Sequence, residues 1–154
     1  MTTPLGHPFQ NACFWAAVCS WLLAQFTKML CGFYRTRRVD FSYLVSTGGM
    51  PSAHSATVCG LATAMGLQHG FATPVFVLAL AFALVTMFDA STVRRAAGLQ
   101  ARLLNDIIDE MFKEHRLSQR KLVELLGHTR LEVFLGMLIG VLVSLLVVSL
   151  WTRT

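Results

Sequence analysis

Two histidines and one carboxylate carry the most specific chemical signal in this 154-residue chain. His128 and Glu132 are four residues apart, a spacing that puts both on one face of a helix. A carboxylate that accepts a hydrogen bond from one imidazole nitrogen fixes the tautomer and leaves the other nitrogen free to attack. His54 supplies a second imidazole, suited to protonating a departing alkoxide. It lies in the run Gly48-Gly49-Met50-Pro51-Ser52-Ala53-His54-Ser55, where a Gly-Gly turn feeds a helix start with Pro early in its first turn. Unpaired N–H groups at such a start attract anions, and the hydroxyls of Ser52 and Ser55 add donors. Lys28, Arg37, Arg94 and Arg95 are available as positive charge, and Arg suits bidentate contact with a tetrahedral oxyanion. The chemistry this set points to is phosphoryl transfer through a phosphohistidine, followed by attack of water.

These residues are scattered along most of the chain, so long elements must gather them. The chain is 55% hydrophobic and 14% charged, against about 25% charged in an ordinary soluble domain. A soluble protein this small buries only a modest share of its surface, so lipid is the expected solvent. The net charge of +5 does not point to nucleic acid, because no basic stretch interleaves with aromatics on a polar face. Positive charge beside membrane spans sets topology or meets anionic lipid instead. Cys13, Cys19, Cys31 and Cys59 form no CxxC pair and sit in apolar stretches, as small buried side chains do. The first Lys or Arg is Lys28, so the first apolar run is expected to be a retained span rather than a signal peptide.

The expected fold is an all-α integral membrane bundle of about four transmembrane helices with cytoplasmic amphipathic helices, residues 1–154 forming one membrane-embedded domain. The spans are expected at 9–34, 53–69, 72–88 and 131–151, a span needing about 20 residues. Lys28 lies near the end of the first and is placed to snorkel. The second is rich in small residues, as suits a helix packed inside a bundle, and ends in a turn at Gln68-His69-Gly70. Between 91 and 130, Leu103, Leu104, Ile107, Ile108, Met111 and Phe112 recur at helical spacing among charges. That pattern predicts an amphipathic helix on the membrane surface or over the bundle, a polar break at His115-Arg116-Leu117-Ser118 and a short helix over 118–126. Gly136-x-x-x-Gly140 suits a helix-packing face, though two small residues at that spacing also arise by chance. Asp89 is expected to form a salt bridge with Arg94 or Arg95. Gln100, Asn105, His7, His69 and His115 are expected to be solvated.

Four spans put residues 35–52 and 90–130 on the same side. Counting Lys28, 12 of the 13 Lys and Arg residues lie there, which the positive-inside rule makes cytoplasmic, with both termini opposite. The expected location is an inner or plasma membrane, with the site facing the cytoplasm.

Three blocks, in this order, resemble the divergent branch of the type 2 phosphatidic acid phosphatase family, a branch of the acid phosphatase and vanadium-dependent haloperoxidase superfamily. They are the run from Gly48 to Ser55; Phe88-Asp89-Ala90 with Val93-Arg94-Arg95-Ala96-Ala97-Gly98; and Leu125-Leu126-Gly127-His128-Thr129. The resemblance extends from about Lys28 to the last span. It implies that Lys28 binds phosphate, together with Arg35 by the literal spacing or Arg37, the preferred match for the divergent branch. It implies phosphate binding by Ser52, general acid chemistry at His54 and nucleophilic attack by His128, with Glu132 in the place of an orienting Asp. The sequence departs from the pattern where Ala53 stands for a central Gly. It also lacks a Ser-Arg pair just before His128; Lys121 is the nearby cation, and Arg94 or Arg95 would substitute from a distance. Four spans and a cytoplasmic site differ from the six spans and outward-facing site of the better-known membrane enzymes.

The expected function is a metal-independent lipid-phosphate phosphohydrolase without a cofactor, acting on an isoprenoid or glycerolipid phosphate. The alternative is a non-enzymatic lipid-phosphate binder or transporter that keeps the pocket. A metal site built from His54, His128 and Glu132 is a weaker third reading, since no HExxH-type motif occurs. The expected partners are the membrane and its lipid phosphate, not nucleic acid, and a bundle this thin is compatible with a homodimer.

Overall fold

The computed structural model describes residues 7–37, 49–111 and 127–153. The apolar run beginning at Phe9 is not helical throughout, because Pro8–Gln10 form a single 3-10 turn. Helix α1 (Ala12–Thr36) starts where Asn11 caps it, its side-chain oxygen accepting the Cys13 N–H at 2.8 Å. Helix α2 (Ala53–His69) is capped by Ser52 and continues through His69, so the turn falls at Gly70, whose φ of 93° favours glycine. Helix α3 (Pro74–Phe88) has Thr73 as cap and Pro at its first position. A π turn, Asp89–Val93, leads directly into α4 (Arg94–Met111). Helix α5 (Arg130–Trp151) follows a Thr129 cap. The described residues are helical with no strand among them, and they form a membrane helical bundle.

Among the described residues, three helical stretches are long and apolar enough to cross a membrane: Ala12–Tyr34, Pro74–Asp109 and Arg130–Trp151. Helix α2 is the fourth expected span, but its 17 residues reach only about 26 Å against a hydrocarbon core of about 30 Å. Its place in the fold explains its composition, since it packs against α1, α3 and α5 at once. Ala53, Ser55, Ala56, Gly60, Ala62 and Ala64 are all buried there, and larger side chains would hold the neighbouring helices apart.

Gly136 and Gly140 are a true packing face. A methyl group on Gly136 would run into the Ser52 carbonyl, and one on Gly140 into the Ala56 carbonyl and the Gly60 amide. Gly60 in turn receives Ser20 from α1, and the Ser144 hydroxyl donates to the Gly60 carbonyl at 2.9 Å. Lipid tails are as apolar as leucine, so burial does not drive helices together in a bilayer, and an interhelical hydrogen bond contributes only about 0.6 kcal/mol on average. Close backbone approach over these glycines therefore carries much of the α2–α5 association.

The amphipathic helix is not a separate surface element. It continues α3 through the π turn, because no Pro or Gly interrupts Phe88 to Arg94 and the extra residue is absorbed by one wide turn. Counting about 1.5 Å per residue from Pro74, the apolar stretch ends near Asp89 after about 22 Å, so the π turn lies toward one membrane face. Asn105, expected on a solvated face, is buried, whereas Gln100 is exposed. The polar break at His115 to Ser118, the short helix over 118–126 and Gly48 lie outside the described residues.

Candidate functional site

The site is assembled from the starts of α2 and α5, the π turn that joins α3 to α4, and the later part of α1. At the α5 start, Thr129 is the cap and Glu132 the third helical residue, forming a reciprocal capping box. The Glu132 N–H donates to Thr129 Oγ1 at 3.3 Å, and the Thr129 N–H donates to Glu132 Oε2 at 3.0 Å. The same carboxylate oxygen lies 3.0 Å from His128 Nδ1. An ionised carboxylate only accepts, so Nδ1 carries the hydrogen and, in the neutral ring, Nε2 keeps the lone pair. His128 is 4% exposed. Its own N–H donates to the Ala90 carbonyl in the π turn at 3.1 Å, and Gly127 lies flat against the backbone of Arg94 and Arg95, where a Cβ would collide. The imidazole is thus held through both backbone and side chain.

The α2 start abuts this one. The Ser52 N–H donates to the Glu132 carbonyl at 3.0 Å, tying the two helix beginnings together. Of the N–H groups expected to be unpaired at this helix start, that of Ser52 is therefore taken. Ser55 N–H is taken as well, by Ser52 Oγ at 3.4 Å, leaving the amides of Ala53 and His54 without partners among the described residues. Ser52 and Ser55 are fully buried, their hydroxyls 3.1 Å apart. Ser52 Oγ accepts from Ser55, so its own O–H remains to donate.

Charge converges on the exposed His54 side chain. Its imidazole lies in the combined field of Arg94, His128, Lys28 and Asp89, with Arg94 the strongest of the four. Lys28 does not snorkel outward: it is 2% exposed, feels the Glu132 carboxylate, and its aliphatic stem runs past Gly49, where an added Cβ would come into ordinary contact with it. The φ of 91° at Gly49 is one that a side chain would strain, which accounts for glycine there. Arg94 pairs with Asp89 at 2.8 Å across the π turn, choosing between the two arginines that the sequence leaves open. Arg95 is exposed and meets the site through its backbone against Gly127.

Lys28, Ser52, His54, Arg94, His128 and Glu132 therefore share one end of the bundle. Arg37 does not join them by any described contact: it is the exposed C-cap of α1 in the left-handed region, with φ 56°. The Arg35 side chain and Lys121 lie outside the described residues. No group of three His, Cys, Asp or Glu side chains suited to a metal ion occurs among the described residues, so His54, His128 and Glu132 are not a ligand set there. Two features went unread in the sequence. The capping box was visible as Thr129-x-x-Glu132 ahead of an apolar run. The π turn has no comparable signature, since Asp89 and Arg94 are five apart and pair only when the helix widens.

Comparison with known proteins places the chain in a family. No solved structure matches the chain. The chain is 41% identical to the uncharacterized membrane protein YuiD of Bacillus subtilis (strain 168), over 80% of this chain and 85% of that relative. The sequence profile of the Divergent PAP2 family matches residues 9–143, a range that takes in all three motif blocks and both histidines. This is a membrane protein, and it belongs to the Divergent PAP2 family.

Proposed function

We propose that the protein is a membrane lipid-phosphate phosphohydrolase. The observation that carries this reading is the His128–Glu132 pair at 3.0 Å, beside His54, Lys28 and Arg94 at one end of the bundle. Its membership of a phosphatase-related family supports the same reading. In the proposed reaction, His128 Nε2 attacks phosphorus and the bond to the lipid oxygen breaks. His54 gives its proton to that oxygen, releasing a lipid alcohol. Water, giving its proton to His54, then cleaves the phosphohistidine and frees inorganic phosphate. Glu132 stabilises the positive charge that develops on His128, while Lys28, Arg94 and the Ser52 hydroxyl neutralise the phosphoryl oxygens. No step calls on a metal or cofactor. The site faces the cytoplasm, where the excess of Lys and Arg belongs. A reporter fused to the C-terminus is then expected to report the opposite side, and a cytoplasmic signal would reverse the orientation.

The direct test is phosphate release by the purified full chain from a panel of isoprenoid and glycerolipid phosphates. Release blocked by vanadate, which mimics the pentacoordinate transition state, is the expected result. Absence of release from every lipid would remove the reading. A second reading, a lipid-phosphate binder or transporter without turnover, draws on the Asp89 carboxylate that already occupies Arg94. It predicts binding or transbilayer movement that survives His128→Ala.

A further inference from the structure

A groove of about 420 Å³ opens between α3 and α5, a size in the range of small-molecule sites, about 300–1,000 Å³. Its walls are graded. At the end nearest the histidines it is rimmed by Ser91, Thr92 and Arg130; farther along lie Met87, Phe134 and Met137. Arg130 follows His128 by two residues, and Ser91 and Thr92 belong to the π turn whose Ala90 carbonyl holds the His128 amide. From Arg130 to Met137 is about two helical turns, roughly 10 Å toward the apolar body of the bundle. The groove therefore starts on the same two elements that hold His128, the π turn and the start of α5, and runs from charge to hydrocarbon, the polarity order of a lipid phosphate.

The rim has one group suited to an anion. The Ser91 and Thr92 hydroxyls both donate to the Phe88 carbonyl, which leaves Arg130 as the charged donor. Arg130 is exposed and has no carboxylate partner among the described residues. It is also the first residue of α5, where the helix dipole disfavours a cation. Helix stability thus gives no reason for Arg at this position, whereas a negatively charged headgroup does. The thioethers of Met87 and Met137 adapt readily to a flexible chain.

We propose that this groove seats one hydrocarbon chain of the lipid phosphate, with Arg130 holding the phosphate as it passes to the histidines. The inference rests on reading the neighbouring site as one for lipid phosphates, but not on turnover. The test uses the purified full chain in phosphatidylcholine vesicles with a single-chain alkyl phosphate carrying a photoreactive group in its chain. Label is expected on the segments containing Met87 and Phe134 to Met137. Unlabelled alkyl phosphate should compete it away, and the alkyl alcohol of the same chain should not. Filling the groove with Met137→Trp and removing the rim charge with Arg130→Gln should each cut the competed label about fivefold or more. Met137→Trp should also lower the kcat/KM ratio for the alkyl phosphate over p-nitrophenyl phosphate by about 10-fold.

Competed label that falls elsewhere, or that neither variant reduces, overturns the groove. If Met137→Trp fails to fold, Arg130→Gln decides alone. Competed labelling of the groove without phosphate release upholds the groove and removes the hydrolase. Phosphate release with an unlabelled groove does the reverse.

Discussion

The starts of α2 and α5 are built from the same parts and put to different uses. Each has a hydroxyl cap, Ser52 or Thr129, and each has a histidine within two residues of it. His128 precedes its cap, is buried, and is bonded to a carboxylate. His54 follows its cap by two residues, is exposed, and stands among cations, with Asp89 as the acidic member of its surroundings. The difference lies in what each imidazole can do without moving. A ring clamped by Glu132 is held in one tautomer with one nitrogen free, which suits a nucleophile. An exposed ring can exchange protons with leaving group and water, which suits an acid and base. In the proposed reaction, environment rather than residue type divides the labour.

The contrast can be broken most sharply by deleting each ring. His128→Ala should lower phosphate release by about 10³-fold or more with every substrate, because the bond to phosphorus can no longer form. His54→Ala should cost about 10²–10⁴-fold with alkyl phosphates. It should cost far less with p-nitrophenyl phosphate, whose leaving group departs without a proton. Equal losses on both substrates for both variants would erase the division of roles.

A smaller effect separates the two duties of Glu132. Gln serves a capping box as well as Glu does, so Glu132→Gln should leave thermal stability within about 1 kcal/mol while lowering kcat about 10²-fold or more through loss of the charge. A matching fall in stability and activity would make the carboxylate a cap and nothing else. The glycine seam is the structural counterpart. Gly136→Val drives a side chain into the Ser52 carbonyl and should cost about 1–3 kcal/mol in detergent unfolding. Because Ser52 is the neighbour displaced, activity should fall as well. The smallest change expected is Thr129→Ala, about 1 kcal/mol of stability from the lost cap, with Thr129→Ser restoring it.

Much of the fold was legible in the chain because membrane spans are written in composition. The apolar runs gave α3 and α5 nearly to the residue, and the small-residue run gave α2. The errors came where a local pattern had two geometric outcomes. A 3-10 turn and a helix start look alike around Pro8 and Phe9. An amphipathic run reads the same whether it is a detached surface helix or the continuation of α3.

The site divides along the same line. His128 and Glu132 face each other by helical spacing alone, and the order of the three motif blocks points to the family. Those relations are local, or are carried by residue order, so sequence determines them. Only the tertiary structure decided that Lys28 is buried beneath Gly49, that Arg94 rather than Arg95 faces His54, and that the Ser52 amide is spent on Glu132. Each depends on how closely two helices approach and on which turn widens. For the Ser52–Glu132 bond that distance is set by glycines on separate helices, Gly60 on α2 and Gly140 on α5, meeting across the bundle, a pairing that no stretch of chain records by itself.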